Sequence, residues 1–197
     1  LLDRLGLFRY GGGGFHCTWM SREDIELFAG KGIYAVTNPA SNLKLASGVA
    51  PVDRLLAAGV PMAIGTDGAA SNNALDMFRE MYLASCLQKL SQEDASAGKA
   101  ENILAMACSG GARAMGLYDC DDIAAGKRAD LTVINLQRPN MQPLNNIAKN
   151  LVYAGSRDNV RLTMVNGRVL YENGEFFVGE EPERIYRNVA ELNRGIL

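Results

Sequence analysis

The sequence predicts an α/β fold that gives way to a small antiparallel unit. Two observations carry this. Short apolar runs alternate with helical patterns through the first 116 residues, and after about residue 120 β-branched runs separated by Asn-Gly pairs replace the helical period. Strand–helix alternation means parallel strands joined by crossovers, as in an α/β sheet or part of a barrel. In such folds, sites gather at the carboxyl ends of the strands.

The elements follow in order. The chain opens on Leu1 in LLDRLGLF, which reads as the second half of an amphipathic helix, so a fragment of a longer protein is expected. Gly11 to Gly14 form a flexible turn into a short extended segment, Phe15 to Cys17. Ser21-Arg-Glu-Asp24 has the form of a capping box and opens a helix through Ile25, Leu27 and Phe28 that stops near Gly30. GIYAV is the next strand. Thr37 to Leu45 (TNPASNLKL) is a turn-rich loop, because Asn, Pro and Ser fix turns through backbone geometry and side-chain bonds. Val52 to Ala58 is a helix ended by Gly59, and PMAIG is the third strand.

A longer helix is expected from about Leu75 to Leu90, with Leu75, Phe78, Tyr82 and Cys86 on one stripe, and another from about Ala100 to Met115. Beyond it, AAGKRADLTVIN, VRLTMVNGRVLY and GEFFV are strands. Their Asn166-Gly167 and Asn173-Gly174 pairs are the strongest short hairpin signal. An amphipathic helix, about Glu183 to Leu192, closes the chain.

Composition narrows the function. The chain has 197 residues, 48% of them hydrophobic, and a formal charge of −2. No basic stripe marks a nucleic-acid partner, and no run approaches the roughly 20 apolar residues that span a bilayer. No basic-then-apolar leader is visible, and Cys17, Cys86, Cys108 and Cys120 lack C-x-x-C spacing, so a cytoplasmic protein with reduced, packed cysteines is expected.

Two residues stand out chemically. Asp67 ends the apolar run Ala63-Ile64-Gly65 at the mouth of a strand, with Gly65 and Gly68 permitting close approach; Thr-Asp-Gly is equally a turn in which Asp satisfies backbone N–H groups. His16 is the sole histidine and lies at the end of the neighbouring extended segment. It suits proton transfer near neutral pH, or a hydrogen-bonded structural role. The Gly11–Gly14 run lacks the phosphate-binding pattern G-x-x-x-x-G-K-[ST], and SGGARAMG at Ser109 to Gly116 reads as tight helix packing with a glycine stop.

Taken together, HCTWMSREDIELF, NPASNLKLASGVAPVDRLLAAG, IGTDGAASNNALDMFREM, GGARAMGL and IAAGKRADLTVINL resemble the C-terminal half of the amidohydrolase superfamily. The nearest branch is that of the S-adenosylhomocysteine and 5′-methylthioadenosine deaminases and the related chlorohydrolases. The resemblance implies the C-terminal part of a metal-dependent (β/α)8 barrel plus part of a small β-sandwich domain. Residues 1–120 would hold barrel strands six to eight with their helices, 121–180 the sandwich segment, and 181–197 a C-terminal helix. It implies that Asp67 ligates a divalent metal, zinc or iron, and takes a proton from the attacking water, and that His16 contacts that water and the group under attack. It further implies a metal-dependent hydrolase of non-peptide carbon–nitrogen bonds, releasing ammonia from an adenine nucleoside. Other readings are a guanine or triazine hydrolase, and a non-catalytic module in which Asp67 and His16 are turn and core residues.

Two departures qualify the resemblance. Thr37 stands where relatives commonly carry histidine. The remaining ligands of that family precede the position of Leu1, so this chain alone is expected to be catalytically incomplete. Three barrel strands also leave open sheet edges, and a homo-oligomer is expected to cover them.

Overall fold

A computed structural model describes residues 1–194. Three parallel strands, β1 (Gly13–Phe15), β2 (Tyr34–Thr37) and β3 (Met62–Ile64), form a sheet in the order β1-β2-β3, with Gly13 opposite Tyr34 and Ala35 opposite Met62. Helix α1 (Arg22–Lys31) connects the first pair. Its capping box is present, with Ser21 Oγ accepting from the Asp24 N–H at 3.1 Å and Asp24 returning the bond to the Ser21 N–H at 3.1 Å. The helix stops at Gly32 rather than Gly30, since Gly32 takes the left-handed conformation (φ 62°) that closes it.

The crossover from β2 to β3 holds two helices, α2 (Pro39–Lys44) and α3 (Val52–Ala57), the second ended by Gly59 at φ 78° as expected. The TNPASNLKL segment is therefore not all loop: Pro39 occupies the first helical position, where its missing N–H costs nothing. After β3 come a one-turn helix α4 (Ala69–Asn72), then α5 (Met77–Gln92), α6 (Ala100–Ala105) and α7 (Gly111–Ala114). Ile33, Val52, Leu55, Met62, Ile64, Met81, Ile103 and Val152 make up much of the core between these strands and helices.

Three expectations need correction. LLDRLGLF is a series of hydrogen-bonded turns, not a helix, and leaves its leucines exposed; only Phe8 packs inward, edge-on to Phe28 with ring centroids 5.8 Å apart. The stripe expected on α5 is only partly inward: Phe78 packs against the core and Cys86 is half-buried, but Leu75 precedes the N-cap Asp76 and is exposed, as is Tyr82, while Glu80, Met81, Ala84, Ser85 and Gln88 are buried. That face is buried because its polar groups are matched. Ser85 Oγ donates to the Gly98 carbonyl at 2.6 Å, and Gln88 Nε2 to the Ala50 carbonyl at 2.9 Å. Finally, the single helix expected from Ala100 to Met115 is interrupted by a wider π turn, Met106–Gly110. A Cβ on Gly110 would lie 2.3 Å from the Met62 carbonyl oxygen, so only glycine lets this turn meet β3.

Beyond the barrel portion, β4 (Leu131–Ile134), β5 (Val160–Val165), β6 (Arg168–Glu172) and β7 (Glu175–Phe176) form an antiparallel meander in that order, with α8 (Ile147–Tyr153) in the β4–β5 connection. Both Asn-Gly pairs make the expected two-residue turns, with φ of 49° and 77° at Asn166-Gly167 and 47° and 102° at Asn173-Gly174. Helix α9 (Pro182–Arg194) is present where an amphipathic helix was expected; the last three residues of the 181–197 segment lie outside the described residues.

Candidate functional site

The site is built at the carboxyl ends of β1, β2 and β3. His16 and Cys17 follow β1 directly and both take left-handed backbone conformations, φ 66° and 53°; Asp67, after β3, does the same at φ 61°. Non-glycine residues avoid that region, and the packing around the strand ends must hold them there. The result brings His16 Nε2 to 3.8 Å from Asp67 Oδ2, each side chain remaining partly open to solvent.

The loop and helix after β2 lie between them. Ser41, fully buried, donates from Oγ to Asp67 Oδ2 at 2.6 Å, and the Gly68 N–H donates to Oδ1 at 2.7 Å. Donors from Ser41 first, then Ser71 and the Gly68 N–H, stabilise the carboxylate and hold Asp67 down at about 2, so it is ionised throughout the neutral range. The Asn42 amide oxygen accepts from His16 Nδ1–H at 2.7 Å, which orients the ring and turns Nε2 toward Asp67. Asn38 is also buried; with its amide oxygen toward the Asp67 N–H (3.0 Å) and its nitrogen toward the Val36 carbonyl (3.2 Å), both neighbours are satisfied.

Sequence reasoning therefore found both chemical groups, and the structure brings them together. It missed Ser41 and Asn42, read there as turn formers, and it missed Glu80. That carboxylate lies fully buried on α5, with Oε2 accepting from the Ala40 N–H at 2.9 Å and Oε1 from Asn72 Nδ2 at 2.7 Å. Burial pushes the Glu80 carboxyl up, and the two donors pull it partly back. A glutamate in the middle of MFREM is a faint signal, since most helical glutamates face water. Thr37 is buried at the end of β2.

As a donor set the pair is half complete. An ionised carboxylate and an imidazole nitrogen suit a divalent ion such as zinc, which takes about four ligands. Among the described residues, no group of three or more His, Cys, Asp and Glu side chains is placed to hold one. A cavity of about 390 Å³ lies at the opposite ends of the strands, between Tyr34, Met62 and Gly110, and does not reach the pair.

The comparisons with known proteins converge on the same architecture. The sequence pattern described as the amidohydrolase family matches residues 3–170. The chain belongs to the amidohydrolase family. A 5′-deoxyadenosine deaminase of Methanothermobacter thermautotrophicus is 44% identical over 180 residues, covering 91% of this chain and 42% of that protein. A 5-methylthioadenosine/S-adenosylhomocysteine deaminase of Nitratidesulfovibrio vulgaris is 47% identical, covering 82% and 37%. Among solved structures, an adenosine deaminase from Xanthomonas campestris with bound zinc superimposes with a TM-score of 0.93 at 38% identity, over 99% of this chain and 44% of that one. An atrazine chlorohydrolase from Arthrobacter aurescens, complexed with zinc, gives 0.84 at 28% identity over 91% and 40%. The chain thus spans less than half the length of these amidohydrolases, and its three parallel strands are part of a (β/α)8 barrel.

Proposed function

We propose that this chain supplies one side of the active site of a metal-dependent aminohydrolase, with residues 1–120 as barrel strands six to eight, 121–180 as a sandwich segment and 181–197 as a C-terminal helix. The observation that carries the reading is the convergence of Asp67 Oδ2 and His16 Nε2 at the strand ends, each oriented by its own buried partner. Asp67 would hold a divalent ion, zinc or iron, with the remaining ligands coming from outside this chain. When bound, that ion lowers the pKa of a coordinated water toward ~7 and so supplies hydroxide at neutral pH. Asp67, ionised and fixed by Ser41, takes the proton released as water attacks. His16 presents Nε2 to the attacking water or to the ring atom it adds to.

The substrate class is an adenine nucleoside such as 5′-methylthioadenosine or S-adenosylhomocysteine, from which hydrolysis releases ammonia. The deaminase relatives, at 39–47% identity against 28% for the chlorohydrolase, favour this over triazine or guanine chemistry. A cytoplasmic setting fits a nucleoside substrate, and no described helix is long and apolar enough to cross a membrane. The chain alone is expected to be inactive and to associate with itself through the open edges of β1 and β3.

The test is metal analysis and ammonia release by the whole protein with these two nucleosides, beside Asp67→Ala. About one ion per chain and a loss of roughly 10²–10⁴-fold in the variant support the proposal. A whole protein without metal or deaminase activity refutes it; turnover of a chlorotriazine in place of the nucleosides moves the substrate class.

A further inference from the structure

We infer that Glu80 is a positioning residue that sets the His16–Asp67 geometry by clamping together two segments: α2, which carries Ser41 and Asn42, and the loop and short helix after β3, which carry Asp67. The inference rests on the aminohydrolase reading for its functional meaning, but not for its structural test. One carboxylate oxygen grips the Ala40 N–H, the residue immediately before Ser41 and Asn42; the other grips Asn72 Nδ2. The same Asn72 nitrogen donates to the Thr66 carbonyl at 2.6 Å, immediately before Asp67, and Asn72 Oδ1 accepts from the Ala74 N–H at 3.3 Å. Glu80 thus holds the residue one before Ser41 and two before Asn42 and, through Asn72, the residue just before Asp67, without touching His16 or Asp67.

The chemistry requires a carboxylate. Both groups facing Glu80 are donors, and only an acceptor with two free oxygens satisfies both in a site without solvent. A glutamine would turn its NH2 against one of them and release one loop from the other. Lys44 repeats the bridge at the surface, donating to the Ala70 carbonyl at 2.9 Å, but exposed and so readily exchanged for water. Glu80 is therefore a second buried tie between the two segments, beside the Ser41–Asp67 bond.

The lone histidine makes a direct test available. In ¹H–¹⁵N correlation spectra of the 197-residue chain, all imidazole signals belong to His16 and report its tautomer and its bond to Asn42. Glu80→Gln and Asn72→Ala should move these signals toward those of a free imidazole, and Glu80→Asp should move them less. Leu162→Ala, a half-buried change on β5 in the meander, should lower the melting temperature and leave them in place. In the whole protein, Glu80→Gln should weaken zinc affinity and lower kcat by about 10–100-fold each. Signals unchanged in both Glu80→Gln and Asn72→Ala, with the melting temperature lowered, overturn the inference and leave Glu80 a stability residue. Signals that move in a protein whose whole form binds no metal uphold the positioning role while the aminohydrolase reading fails.

Discussion

At the residue scale, the chemistry concentrates on one acid whose environment is hydrogen-bonded rather than buried. Ser41 is the strongest of its donors, so Ser41→Ala should raise the Asp67 carboxyl from about 2 toward its ordinary 3.8, measured by carboxyl ¹³C titration. An unchanged midpoint would assign the effect to Ser71 and Gly68. His16 and Asp67 were legible because each ends an apolar run, a position set by local sequence. Ser41, Asn42 and Glu80 were not, since their roles depend on bonds spanning 26 residues for the first two and 40 for the last. Nothing in a helical glutamate beside Arg79 announces that its carboxylate is fully enclosed.

At the element scale, local rules worked where one residue type has one physical use. The Ser21 capping box, the glycine after α3 and the two Asn-Gly hairpins formed as expected, because each is decided within a few residues. The rules failed where packing chooses. On α5 the large side chains Leu90 and Tyr82 face outward, while Glu80, Ser85 and Gln88, with matched hydrogen bonds, face inward beside Met81, which periodicity of hydrophobic residues cannot anticipate. The π turn is a comparable case. Gly110→Ala should cost about 1–3 kcal/mol, or more if the turn cannot shift, because its methyl would meet the Met62 carbonyl; urea unfolding measures it, and a neutral result would mean the π turn relaxes freely. Gly167→Ala, at a φ of 77° in open space, should cost about 1 kcal/mol and leave the fold intact by circular dichroism.

At the scale of the whole molecule, one ion cluster ties α7 to the segment that leads into the meander. Asp121 accepts from Arg113 Nε at 2.6 Å and from Lys127 Nζ, and these partners hold its carboxyl at about 2 against an ordinary 3.8. A carboxyl held low in the folded state contributes stability above pH 3.8 and loses it as the pH falls through 2. Asp121→Asn should therefore lower stability at pH 7, with the difference from the parent vanishing by pH 2 in acid melts. Burial gives Glu80 the opposite sign: its ionised form opposes folding, so its contribution falls as pH rises through its elevated value. The exposed apolar residues Phe15 on β1 and Ile185, Tyr186, Val189 and Leu192 on α9 should make the 197-residue chain self-associate, and a concentration-independent monomer in sedimentation would refute this.

By itself, the sequence determined the alternation of parallel strands and helices, the hairpins of the meander, and the placement of an acid and a histidine at the carboxyl ends of strands. These follow from backbone propensity, turn chemistry and apolar period, all local. Only the tertiary structure decided that the two groups lie 3.8 Å apart, that Asn42 and Ser41 aim them, and that a buried glutamate ties their loops. Hydrogen bonds between residues distant in sequence form only after the core has closed, and a buried donor or acceptor then requires a partner wherever the chain can supply one.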